Sequence, residues 1–186
     1  DSAINIAGRY LSLAKTIPFV NETLNDKYLW QELEQNIYER KTAHLENQVT
    51  LLKPKNVLQS QKIRLANAII AENKGDSLKA QQICMEMIKH NTLYGPSLTF
   101  STDYLLGYPQ LHKDLYNQLL EIYQLNLFSL HVVSSYIKGC FAVGLQSSAR
   151  YALENAENHL STIENEKLKS LYFFLEGREI DENDWM

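Results

Sequence analysis

Glycine and proline are scarce, at 7 and 4 of 186 residues. Sandwiches and barrels spend both at their many turns, so the shortage favours helices. Cysteine is nearly absent. The two present, Cys84 and Cys140, form no CxxC pair. That excludes a zinc ribbon, a thioredoxin-like motif and a disulfide scaffold. Both lie in apolar helical contexts and read as buried core residues in a reducing compartment. Positive charge is not in excess: 18 Lys and Arg face 22 Asp and Glu, a net charge of −4. A bare nucleic-acid-binding module should be basic. A long uninterrupted apolar run is also missing. The most apolar stretch, Leu127 to Leu145, contains His131, Ser134, Ser135 and Lys138. It reads as a buried helix and not a membrane span.

Motifs of catalysis are missing too. There is no Walker loop, GxGxxG, HExxH or GxSxG. None of the five histidines (His44, His90, His112, His131, His159) lies three or four residues from another His or from a Cys. The sequence therefore predicts no enzyme, no metal and no cofactor. The chain opens on Asp1 without a signal-like segment and reads as a piece of a longer cytoplasmic protein. The Asn21-Glu22-Thr23 sequon would matter only in a secreted chain.

What is present is helical periodicity. Apolar residues 45% and charged residues 22% suit a folded domain. Ile63, Ala66 and Ile70, then Leu78, Ile83 and Met87, recur at helical spacings on either side of Asn73-Lys74-Gly75-Asp76. A second hairpin runs 128–143 into 146–160, with Gly144 at the turn and Ser147 or Ser148 as N-cap. Ala80 and Ala149 both stand five residues past these glycines, where a small side chain lets two helices approach closely. The glycines are 69 residues apart (144 − 75), about twice a 34-residue period. Gly107-Tyr108-Pro109 falls midway. Turns are expected near 41, 75, 109, 144 and 177.

That period is the signature of tetratricopeptide repeats, whose helical hairpins stack because no single one buries its apolar face. The expected fold is all-α: one tetratricopeptide-like repeat domain over 1–186, a right-handed α-solenoid of about four to five hairpins. A plain helical bundle or another helical repeat remains open. Single helices are expected at 2–16 and 165–178. The latter carries Leu171 to Leu175 and would need a cap, further residues of a longer chain or a second subunit, the last giving a homodimer through the C-terminal helix.

In such arrays the first helix of each hairpin lines the concave face. Here these are 27–40, 61–73, 97–107, 128–143 and 165–177. Polar residues interrupting their apolar patterns are the candidate contacts to a peptide or a partner's tail: Asn36, Arg64, Asn67, Asp103, His131, Ser135 and Lys138. Asparagine pairs with peptide backbone. Arg64 suits a carboxylate, and Asp103 an arginine or an amino terminus. Eleven tyrosines are spread without a basic stripe, which argues against nucleic-acid stacking.

Lys62-Ile63-Arg64-Leu65, Asn73-Lys74-Gly75-Asp76, Lys79-Ala80, Cys84 to Ile88, Pro96-Ser97-Leu98 and Tyr104 to Gly107 together resemble the repeat region of the arbitrium receptors (AimR) of Bacillus phages. More broadly they resemble the Rap and PlcR group of peptide-sensing regulators. The resemblance covers roughly 60–107. It implies a domain that binds a short secreted peptide, with Arg64 where the family places a peptide-contacting arginine. It also implies control of transcription in a lysis–lysogeny decision. DNA would be reached through a helix-turn-helix part, and no such segment is visible in this chain. Pro109 is a further departure. The alternative is a constitutive protein–protein scaffold.

Overall fold

The computed structural model describes residues 22–90, 94–125 and 129–177. The expected 2–16 helix, the sequon's Asn21 and the tail from Arg178 lie outside them. The described residues form nine α-helices and no strand: α1 (Glu22–Tyr38), α2 (Thr42–Leu51), α3 (Val57–Asn73), α4 (Ser77–Lys89), α5 (Gly95–Leu106), α6 (His112–Gln124), α7 (Leu130–Ala142), α8 (Gln146–Ala156) and α9 (Thr162–Glu176). A 3-10 turn, Pro109–Leu111, leads into α6. The fold is all-α. Among the described residues no helix is long and apolar enough to cross a membrane.

Helix ends follow local chemistry. Asn56 caps α3 by accepting from the Gln59 N–H, and Ser161 with Glu164 forms a complete capping box on α9. Three helices end in the same way. At Gly75 (φ 73), Gly75 N–H donates to the Glu72 carbonyl and Asp76 N–H to the Ala71 carbonyl. At Gly144 (φ 75) the same two bonds run to Phe141 and Cys140. At Arg40 (φ 53) they run to Ile37 and Asn36. These are Schellman turns, which need a left-handed residue just past the helix. Glycine supplies it twice, and a strained arginine supplies it once. The turn after α5 differs, because Pro109 opens a 3-10 turn there. Neither Ser147 nor Ser148 caps α8; its N-cap is Leu145, without a side-chain bond.

The chain divides into two compact units, to Ile83 and from Cys84, and the division falls within α4. In the first unit α1, α2 and α3 pack pairwise. Leu33, Leu45 and Leu65 are fully enclosed. In the second unit α7 is central. It packs on α5, α6, α8 and α9, while α5 packs on α6 and α8 on α9. Ala80 and Ala149, the small residues expected between paired helices, are buried. Leu78, expected on an apolar face, is 78% exposed. It precedes the buried stripe of α4, which begins at Ala80 and continues through Cys84, Met87 and Ile88.

Both cysteines are free and buried. Burial pushes the Cys140 thiol up to about 11, against an opposing hydrogen bond from Tyr136. The thiol therefore stays protonated and unreactive at neutral pH. Tyr136 stacks on Tyr123 with ring centroids 4.3 Å apart and an interplanar angle of 7°. Its other neighbour is Tyr116, at 6.1 Å. This aromatic seam joins α6 to α7.

Candidate functional site

α3 in the first unit, and α5 and α7 in the second, each keep a stripe of side chains that is not buried. On α3 the buried positions run almost all round the helix, and the stripe left to solvent includes Ile63, Arg64 and Asn67. Arg64 is exposed and Asn67 half-buried. Neither makes a hydrogen bond or ion pair with the described residues. A guanidinium and a carboxamide three positions apart thus stand side by side with their donors uncommitted. Several charges around them are paired. Lys62 donates to Glu34 of α1 at 2.8 Å, Lys55 to Asp26 at 2.8 Å and Arg40 to Glu72 at 2.7 Å. Of Lys53, Lys55, Lys62 and Arg64 around Pro54, Lys53 and Arg64 have no counter-ion among the described residues.

In the second unit the open faces of α5 and α7 adjoin. Asp103 accepts from Lys138 Nζ at 2.5 Å, across 35 residues of sequence. Thr99 Oγ1 and His131 Nδ1 share a hydrogen bond of 2.9 Å, across 32 residues. Both separations are close to the expected 34-residue period. Three predicted contact residues, Asp103, His131 and Lys138, are therefore brought onto one surface. Beside them along α5, Phe100 and Tyr104 stack with centroids 6.1 Å apart. Tyr108 continues this ladder by donating from its hydroxyl to that of Tyr104 at 3.1 Å.

Two predicted contacts lie elsewhere. Asn36 is 5% exposed, and its amide donates to Gln48 of α2 at 3.0 Å. It satisfies the α1–α2 contact. Ser135 is 1% exposed, on the inner side of α7. In both cases a polar residue in an apolar pattern marks an interior position.

The residues that complete the second face were not singled out from sequence. Thr99 and Glu164 are ordinary helix residues whose role comes from what stands across from them. The ring of His131 lies where a side chain on Gly95 would be: a Cβ built there would meet its Cδ2 at 2.2 Å. Burial against α5 lowers the His131 pKa, and the Glu164 carboxylate opposes the shift. Bonds from the Ser161 side chain and backbone hold Glu164 itself below the usual carboxylate range, so it is ionised. At the far end of the same helix pair, His112 Nε2 lies 2.9 Å from the Leu106 carbonyl and Nδ1 lies 3.3 Å from that of Ala142. These are the last residues of α5 and α7.

No group of three or more His, Cys, Asp or Glu among the described residues stands together as a metal site. In comparison with known proteins, no family model, curated protein or solved structure matches the chain.

Proposed function

We propose that the chain is a tetratricopeptide-like peptide-binding domain, the sensor part of a phage or bacterial transcription regulator of the arbitrium and Rap–PlcR kind, working in the cytoplasm. The observation that carries the reading is the packing order. Within each unit the odd-numbered helices pack on the next and the next but one: α1 on α2 and α3, α5 on α6 and α7, α7 on α8 and α9. In each unit the odd-numbered helices then act as first helices with an open face, and the even-numbered ones pack between or beside them. The uncommitted donors of Arg64 and Asn67 suit a peptide carboxylate and backbone. The Asp103–Lys138 pair and the Phe100–Tyr104–Tyr108 ladder give the second unit a mixed polar and aromatic face of the sort that short peptides use. The sensor would act by favouring one helical arrangement over another, by no more than the peptide's differential affinity for the two. DNA would be engaged through a separate domain, and a homodimer would form through α9, where Ile163 and Phe174 are 66% and 71% exposed.

The test is calorimetry of the 186-residue chain against short hydrophilic peptides with free carboxyl termini, with scrambled controls. Binding by one sequence is expected, and Arg64→Ala should weaken it about tenfold or more while leaving the melting temperature unchanged. Silence from every peptide, with the chain shown to be folded, would instead favour a constitutive scaffold that docks a partner protein. A large loss of melting temperature in Arg64→Ala with unaltered affinity would make Arg64 structural.

A further inference from the structure

We infer, on the peptide reading proposed above, that α3 fixes the direction and register of its ligand. The carboxyl terminus stops at Arg64 and Asn67, and an apolar residue a few places back meets Val57. Val57, Ser60, Arg64 and Asn67 stand three and four residues apart, so they form one stripe along α3, with Ile63 beside it. The stripe is open at one end only. Val57, the first residue of the helix, is 68% exposed. At the other end Ala68, Ile69, Ile70 and Ala71 are all buried. Four consecutive residues go all the way round a helix, so the protein itself encloses α3 just past Asn67. A chain lying along the stripe therefore ends at Asn67 and leaves past Val57.

Charge decides which end stops there. Arg64 is an exposed cation with no counter-ion among the described residues, and the Asn67 carboxamide has no hydrogen bond among them. Such donors take a carboxylate, and the cation repels an amino terminus. Lys62, which would compete, is held by Glu34. Lys53, four residues before Val57, also has no counter-ion among the described residues. No Asp or Glu lies between Leu51 and Asn67, so the uncommitted charges of this segment are both positive. The Ser60 hydroxyl donates to the Asn56 carbonyl at 3.1 Å. Toward a ligand its oxygen is left as an acceptor, which suits a peptide N–H. From Arg64 back to Val57 the helix rises about 10 Å. An extended peptide covers that distance in about three residues. The third or fourth residue from the carboxyl terminus thus meets Val57, whose exposed methyl groups favour an apolar side chain.

The test is amide NMR titration of the 186-residue chain with pools of hydrophilic hexapeptides. In each pool one position is fixed as leucine or as serine, and each is made with a free and with an amidated carboxyl terminus. Free-acid pools should shift the amides of 57–67, and amidation should weaken binding about tenfold. Leucine at the third or fourth position from the end should outbind serine there about threefold or more, with a smaller gain elsewhere. Val57→Ser, at an exposed position, should erase that preference and keep the cost of amidation. Arg64→Ala should do the reverse. Binding indifferent to amidation, a leucine preference at another position, or a preference kept in Val57→Ser would each overturn this direction and register while leaving a peptide site. Silence from every pool would end the peptide reading itself, and this inference with it.

Discussion

The two units solve one problem with different materials. In the first, successive helices are linked by charge: Asp26–Lys55, Glu34–Lys62, Arg40–Glu72 and Glu46–Lys74 all run between α1 or α2 and the α3 region. In the second, the ion pairs Asp103–Lys138 and Glu157–Lys169 are joined by rings: Tyr116, Tyr123 and Tyr136 between α6 and α7, Phe141 against Tyr172 between α7 and α9, and two histidines between α5 and α7. Exposed ion pairs contribute about 0–1 kcal/mol each and are screened by salt, whereas aromatic contacts carry large apolar burial. Rigidity should therefore reside in the second unit. The first offers Arg64, an uncommitted cation beside several paired charges. A surface rich in exchangeable ion pairs suits the carboxylate of the proposed peptide, because a new partner costs little rearrangement.

The sharpest way to separate the units is to damage each core. Ile137, 0% exposed, lies on α7, the helix that packs on four others. Ile137→Ala should cost about 2–5 kcal/mol, because so enclosed a site cannot collapse onto the cavity. Tyrosine near-ultraviolet circular dichroism reads the second unit through the Tyr116–Tyr123–Tyr136 seam. Trp30, 5% exposed on α1, reads the first by fluorescence once Trp185→Phe removes the other indole. The tyrosine signal should be lost at lower denaturant than the Trp30 signal in Ile137→Ala. Leu65→Ala, on α3, should reverse the order. If the two signals shift together in both variants, the chain is a single cooperative block and the comparison fails.

The turns give a milder comparison, because there the units are alike. Gly75 and Gly144 adopt the same left-handed conformation with open space around the missing Cβ. Alanine meets no clash at either, only the backbone strain. Gly75→Ala and Gly144→Ala should each lose about 1 kcal/mol in urea unfolding, equal within error. Unequal losses would mean that the surrounding charges or rings, and not the backbone, set the cost.

These turns also show what can be read from the sequence. Gly75 and Gly144 were legible because glycine is the cheapest left-handed residue, and buried Ala80 and Ala149 follow from the same register. Helix starts were less legible. The 61–73 and 165–177 helices begin at Val57 and Thr162. The Asn56 cap and the Ser161-x-x-Glu164 box that set those starts are written in the sequence, but apolar spacing alone passes over them. The open face was partly legible. A polar residue in an apolar pattern marks either a groove or an interior hydrogen bond, and Asn36 is the second kind because Gln48 stands opposite. Gly95, Thr99 and Glu164 gave no signal, since each matters only through His131, which is brought to them by packing.

Arg40 is where a sequence reader has least to go on, and it defines the smallest expected effect. It completes the same Schellman turn as the two glycines, at φ 53, with a side chain that pays for the conformation. In exchange it reaches Glu72 at 2.7 Å, an exposed pair. Arg40→Gly would relieve about 1 kcal/mol of left-handed strain. It would lose an ion pair worth about 0–1 kcal/mol and add about 0.4–1 kcal/mol of unfolded-chain entropy. These terms nearly cancel, so unfolding should move by less than about 0.5 kcal/mol at moderate salt. The residue should then matter through ionic strength. At low salt the wild-type chain keeps the benefit of the pair, and as salt screens it the glycine variant should draw level and then lead. If the ranking is independent of salt, the Arg40–Glu72 pair contributes nothing, and the charged links of the first unit are no more than surface decoration on its apolar core.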